Sequence, residues 1–190
     1  MHLIENELKE AVDLLSKSEC LYDQKAIDQA IDRVAKEMNE KLVDKNPLLL
    51  CVMNGAVIFT GQLATRLTFP LQIDYVHVTR YQGEIEGREI HWVAEPSVDV
   101  KDRTIVIVED ILDLGLTLAA VKQHCQAHGA KEVYCAALID KKRPRAVGGV
   151  ERCDFTGLFV EDRFLLGYGL DYKGFLRNVP GIYAVKPEYL

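Results

Sequence analysis

Residues 104–118, TIVIVEDILDLGLTL, hold the side chains best suited to chemistry. A short run of apolar and β-branched residues leads into two adjacent carboxylates, Glu109 and Asp110. Like charges side by side at a strand end repel unless polar partners or a cation sit close. In open α/β sheets that end is where ligands bind. Asp113, Gly115 and Thr117 follow, ahead of a helical pattern. Gly115 lets backbone N–H groups turn toward an anion, Thr117 adds a hydroxyl donor, and the helix start adds the positive end of a dipole. Carboxylates for hydroxyls or a metal thus stand beside a cradle for phosphate, a combination that suits a phosphorylated sugar. A lone D-x-G turn would mean no more than solvated charges with Asp113 as a helix cap. Acid pair, third acid, glycine and threonine together after a buried strand point instead to a ligand.

The elements that must position this turn follow from periodicity. NELKEAVDLLSKSE and then DQKAIDQAIDRVAKEMNEKLVD have helical spacing, with Ile27, Ile31, Val34, Met38 and Leu42 on one face and Asp23 as a cap. PLLLCVM is a buried strand, Asn54-Gly55 a turn, VIFTGQLATRL a helix, and LQIDYVHVTR a strand with alternation. YQGEIEGREIHW carries glycines and glutamates and suits a mobile loop ending in a strand. After TIVIV comes the helix LTLAAVKQHCQAHGA, closed by Gly129, and the strand VYCAALI. Apolar strands alternating with helices predict an α/β fold, a parallel sheet flanked by helices on both faces. One domain spans 1–190, with its core at about 46–140 and a small hood from 1–20 and 141–190.

The totals set limits. The chain has 190 residues, 48% hydrophobic and 27% charged, ordinary for one globular domain. A net charge of -6 argues against nucleic acid as a general partner, because phosphate contacts need clustered positive charge. No apolar run approaches a membrane span. The opening MHLIENELKE lacks the order of a secretion signal, and five scattered cysteines without C-x-x-C spacing fit a reducing compartment, so a cytoplasmic protein is expected. Cys51 and Cys135 are expected as small apolar core residues.

VIVEDILDLGLTL resembles the phosphoribosyl-pyrophosphate-binding motif of type I phosphoribosyltransferases, most of all the hypoxanthine-guanine branch. The resemblance runs from CVMNGAVIF through RYQGE to GYGLDY. It implies a type I phosphoribosyltransferase-like sheet, and transfer of 5-phosphoribosyl to N9 of hypoxanthine or guanine with Mg²⁺. It implies that Glu109 and Asp110 meet the ribose hydroxyls near the metal, that Asp113 acts on the purine N7 proton, and that Asp113, Leu114, Gly115, Leu116 and Thr117 hold the 5′-phosphate. Where the family often has Thr and Lys around the glycine, this chain has Leu114 and Leu116, which leaves phosphate binding to backbone amides and Thr117.

By the same resemblance Lys141 in LIDKKRPR donates to the purine 6-oxo group, which selects against adenine because the 6-amino group offers a donor. Phe164 stacks on the purine, the Leu165 backbone meets its edge, and Asp171 holds a second Mg²⁺. Arg177 and the loop Met53, Asn54 and Gly55, often a cis peptide in the family, face pyrophosphate; Asn54 stands where Lys or Arg is common. Arg80 and Tyr81 begin the mobile loop, Arg80 replacing the common Ser. A homodimer or homotetramer is expected, the helix after Asn54 often lying at the interface. The remaining cations of LIDKKRPR read as a solvated loop, and His124 with His128 as an exposed helix face. GYGLDYKG lacks the dinucleotide spacing, Gly55 and Gly61 miss the Walker spacing, and no G-x-S-x-G occurs. The alternatives are a xanthine-preferring enzyme and a catalytically weak regulator of the same fold that binds nucleotide or RNA.

Overall fold

The computed structural model describes residues 2–80 and 90–189. In chain order the elements are α1 (His2–Ser16), β1 (Ser18–Tyr22), α2 (Gln24–Leu42), β2 (Leu48–Met53), α3 (Val57–Ala64), β3 (Gln72–Arg80), β4 (Ile90–Ala94), β5 (Thr104–Leu112), α4 (Leu116–Ala127), β6 (Glu132–Lys142), β7 (Phe155–Glu161), β8 (Leu165–Leu166) and β9 (Ile182–Val185). A six-stranded sheet has the order β4-β3-β2-β5-β6-β7, parallel except for β4. A three-stranded antiparallel sheet, β1-β9-β8, forms the hood.

The central strands are apolar on both faces because helices cover both. On β5, Val106 and Val108 face a core shared with Ile27, Ile31 and Met38 of α2 and Phe59 of α3. Ile105 and Ile107 face the opposite core, with Leu118, Val121 and Cys125 of α4. This alternation is the period-2 geometry of a strand, and each such side chain contributes about 1.5–3 kcal/mol by leaving water. Asp23 caps α2, its carboxylate accepting from the Ala26 N–H at 2.8 Å. Gly129, at φ 82°, closes α4, where the Ala130 N–H returns to the Cys125 carbonyl.

Four boundaries differ from the sequence reading. Ser18 and Glu19 leave the helical pattern because they pair with Val185 and Ala184 of β9. β5 does not end at Glu109-Asp110; it runs to Leu112, which pairs with Asp140 of β6. The main sheet reaches Glu161 through β7, and α2 packs into its core, so the core extends past 46–140 on both sides. Coverage also fails at one margin: Ile73 and Tyr75, two apart on β3, are half-exposed. Cys51 and Cys135 are buried as expected, and all five cysteines are free thiols. Among the described residues no helix is long and apolar enough to cross a membrane.

Candidate active site

A cleft of about 330 Å³ opens beyond the C-terminal ends of β2 and β5. Its floor is the acid pair. Because β5 continues beneath them, Glu109 and Asp110 are strand residues only 7% and 8% exposed, not solvated strand-end charges. Burial pushes the Asp110 carboxyl above the ordinary carboxylate value, against the lowering pull of Glu109, the Ile111 backbone and the Arg177 charge. A Cβ at position 55 would run into the Asp110 carboxylate, so any residue but glycine there requires that carboxylate to move. The peptide between Met53 and Asn54 is cis, and both residues line the cleft.

One wall is the turn from β5 into α4. Gly115 is the N-cap of α4, in the left-handed region at φ 77°, and no side chain caps the helix. Asp113 is therefore not a cap. The first N–H groups of a helix have no intrahelical partner, so this end is suited to an anion. The turn is braced from behind: the Ala146 N–H donates to the Leu114 carbonyl at 3.1 Å and the Val150 N–H to the Gly115 carbonyl at 3.0 Å. Thr117, Leu114 and Asp113 also line the cleft.

The opposite wall comes from the segment after β8. Arg177 donates to the Gly169 carbonyl at 2.5 Å and pairs with Asp171 at 2.7 Å, and the second Asp171 oxygen accepts from the Gly174 N–H at 2.7 Å. Gly169 lies so close to Gly55 that a Cβ would meet the Gly55 carbonyl, which seats this wall on the floor.

Beside the cleft stands a cluster of charges. Lys141, at the end of β6 with its side chain 12% exposed, lies 3.5 Å from Asp113 and 3.3 Å from Asp162. Arg143 makes the same two contacts at 3.2 and 3.3 Å. Asp113 thus connects the cleft to the cations beyond it.

Residues 17–173 match the phosphoribosyl transferase domain family. The chain belongs to that family. It is 33% identical to the hypoxanthine-guanine phosphoribosyltransferase of Mycoplasma pneumoniae, covering 88% of this chain and 95% of that one. It is 32% identical to the hypoxanthine-guanine-xanthine phosphoribosyltransferase of Tritrichomonas foetus, covering 87% and 90%. A solved hypoxanthine phosphoribosyltransferase from Staphylococcus aureus superposes with a TM-score of 0.83 at 26% identity, covering 90% of this chain and 92% of that one.

In this phosphoribosyltransferase the cleft gathers Met53, Asn54, Gly55, Glu109, Asp110, Asp113, Leu114, Gly115, Thr117, Asp171 and Arg177 from distant parts of the chain. It does not gather all the residues singled out from sequence. Leu116, Lys141, Phe164 and Leu165 are outside its lining. Phe164 is 39% exposed and meets Tyr172 edge-on at 6.2 Å, while Leu165 is buried in β8. Arg80 ends β3, and Tyr81 falls outside the described residues. Arg177 is a cleft residue, although on its own an arginine there suggests only surface.

Sequence reasoning missed several contributors. Val78, Thr79 and Ile90 supply wall. Arg143 and Asp162 enter the charge cluster, and Arg145, its side chain only 7% exposed, is no part of a solvated loop. Their signal was the basic run placed directly after a strand and opposite the acid turn. Nor is His124 fully exposed: its ring packs at 4.5 Å on Trp92 and 4.1 Å on His128.

The acids fit a shared rather than a caged metal. Among the described residues no three His, Cys, Asp or Glu side chains converge as a ligand set. Glu109, Asp110 and Asp171 nevertheless face one cleft. Mg²⁺ is commonly held by one or two carboxylates together with substrate phosphates, which agrees with that arrangement.

Proposed function

We propose that the chain catalyses purine salvage: it transfers 5-phosphoribosyl from phosphoribosyl pyrophosphate to N9 of hypoxanthine or guanine, giving IMP or GMP and pyrophosphate. The observation that carries this reading is the union in one cleft of a buried acid pair and an uncapped helix start. A phosphorylated ribose needs both, hydroxyl acceptors and an anion cradle, at the spacing of one sugar.

Glu109 and Asp110 accept the ribose hydroxyls. The Gly115–Thr117 backbone and the Thr117 hydroxyl hold the 5′-phosphate, so Leu114 and Leu116 in place of polar residues remove little. Met53, Asn54, Gly55 and Arg177 face the pyrophosphate, whose departure leaves positive character on the sugar. Asp113 holds the proton at purine N7 while N9 attacks. Lys141 donates to the 6-oxo oxygen, Phe164 lies against the ring and the Leu165 backbone meets its edge. At Lys141 the purine must compete with the contacts to Asp113 and Asp162. Glu109, Asp110 and Asp171 would hold Mg²⁺, which when bound offsets charge on the donor's phosphate oxygens.

The enzyme acts in the cytoplasm, a reading supported by five free thiols. It is a homodimer or homotetramer. The half-exposed Val57 of α3, Ile73 and Tyr75 of β3 and Val93 of β4 support an interface there. Xanthine is the second candidate acceptor, favoured by the name of the Tritrichomonas relative. The test is to mix the chain with phosphoribosyl pyrophosphate, Mg²⁺ and hypoxanthine and follow IMP and pyrophosphate. Both form in equal amounts, and chelating the metal with EDTA stops them. Absence of IMP under these conditions contradicts the proposal.

A further inference from the structure

Arg145 has no part in the mechanism above, yet its placement is specific. Its side chain is 7% exposed, and one terminal nitrogen, with two N–H groups, lies within hydrogen-bond distance of three backbone carbonyls: Leu112 at 3.1 Å, Asp113 at 2.8 Å and Lys141 at 2.7 Å. The other terminal nitrogen pairs with the Asp140 carboxylate, itself 11% exposed, and Nε reaches the Glu151 carbonyl at 3.3 Å. Two of these carbonyls belong to Asp113 and Lys141 themselves. The ladder between β5 and β6 ends at Leu112 and Asp140, so beyond that pair no strand hydrogen bond fixes the spacing of the two chain segments. Converging carbonyl oxygens also repel unless a donor stands between them. A buried guanidinium supplies that donor, and Asp140 supplies the counter-charge that makes its burial tolerable.

We infer that Arg145 is a positioning residue, which fixes the distance between Asp113 and Lys141 by bridging their carbonyl oxygens with one guanidinium nitrogen, while its other terminal nitrogen is anchored on Asp140. The inference rests on the roles proposed above for those two side chains. It predicts a defect in use of the purine rather than of the donor, since the phosphate turn is braced separately by Ala146 and Val150. Lysine places one ammonium where arginine serves the carbonyls and the Asp140 carboxylate with separate nitrogens, so Arg145→Lys recovers only part of the function.

The test measures steady-state kinetics with hypoxanthine and phosphoribosyl pyrophosphate varied in turn, for wild type, Arg145→Ala, Arg145→Lys and Asp140→Asn, with thermal unfolding of each. Misplacement of a reacting group by about 1 Å costs on the order of 100-fold. Arg145→Ala is expected to lose about that much kcat, with the KM for phosphoribosyl pyrophosphate changed by less than about threefold. Arg145→Lys is intermediate, and low millimolar guanidinium raises the rate of Arg145→Ala saturably without affecting wild type. Wild-type kinetics in Arg145→Ala overturns the inference. So does a loss shared by donor and base that neither lysine nor guanidinium restores. If Arg145→Ala fails to fold, Arg145→Lys and Asp140→Asn carry the test, and wild-type kinetics in both overturns it. Asp113→Asn and Lys141→Ala are assayed alongside. If these too turn over normally, it is the assignment of the base-handling residues that fails, not the claim about Arg145 alone.

Discussion

The ends of β5 and β6 lie side by side and are built from different materials. At the end of β5 the working groups are largely backbone: a left-handed Gly115, an uncapped helix start and a turn braced by the carbonyls of Leu114 and Gly115. At the end of β6 they are side-chain charges, with Lys141 and Arg143 shared between Asp113 and Asp162, and Arg145 beneath them. A backbone site tolerates changes of side chain so long as the turn keeps its shape. A side-chain site does not, because removing one charge leaves its partners unbalanced. This contrast agrees with Leu114 and Leu116 in the turn proposed to hold phosphate, while the end proposed to face the base carries charged side chains.

The contrast can be broken by substitution. Asp113→Asn should have the largest effect, lowering kcat by about 10²–10⁴-fold, the range for loss of a general acid-base group, with the donor KM little changed. Unchanged turnover removes Asp113 from the reaction. Gly115→Ala comes next. An L side chain is strained at φ 77° and would collide with the Val150 backbone. A stability loss of about 1–3 kcal/mol and a raised donor KM should follow, read by thermal unfolding and kinetics. Leu114→Thr should have a smaller effect, moving the donor KM by no more than about tenfold, because one hydroxyl hydrogen bond is worth only about 0.5–1.5 kcal/mol net. A gain of a hundredfold would mean that the side chain, not the backbone, dominates the cradle.

The smallest effect is spectroscopic, on the far side of α4. Burial, and then the neighbouring His128, hold the His124 imidazole below the ordinary histidine value of about 6.5, with Glu95 pulling the other way. The folded chain therefore binds this proton less readily than the unfolded one. Its contribution to stability is present above the unfolded value and is lost as pH falls through the folded value. Trp92, the single tryptophan, packs against that ring at a tilt of 36° and reports it. Its emission should fall on acidification, because a protonated imidazole quenches indole, with a midpoint below about 6.5. A midpoint above that value contradicts the packed, half-buried arrangement.

Local pattern made much of this visible before any coordinates. Asp23, Gly129 and the apolar stripe of α2 lie where periodicity and capping chemistry put them, because each depends on neighbours within a turn or two. The acid pair and Gly115 were legible for the same reason. The burial of Glu109 and Asp110 was not, because it depends on β5 continuing two residues further through its pairing with β6. Arg145 was misjudged because its partners lie on two strands, one of them more than thirty residues away in sequence. β7 was assigned to the hood because DFTGLFV reads as a short strand-like piece in a stretch punctuated by glycine and proline; it is an edge strand, but of the main sheet. Phe164, Leu165 and Lys141 were named from resemblance, and their positions outside the cleft lining leave their roles to kinetics.

The central claim is that this cleft joins phosphoribosyl pyrophosphate to a 6-oxopurine. The most direct test offers hypoxanthine, guanine, xanthine and adenine separately, with Mg²⁺ and saturating donor, and follows nucleotide formation. Turnover with hypoxanthine or guanine and none with adenine is the predicted result. Turnover with adenine comparable to hypoxanthine would contradict the role given to Lys141, and no turnover with any of the four bases would contradict the account as a whole.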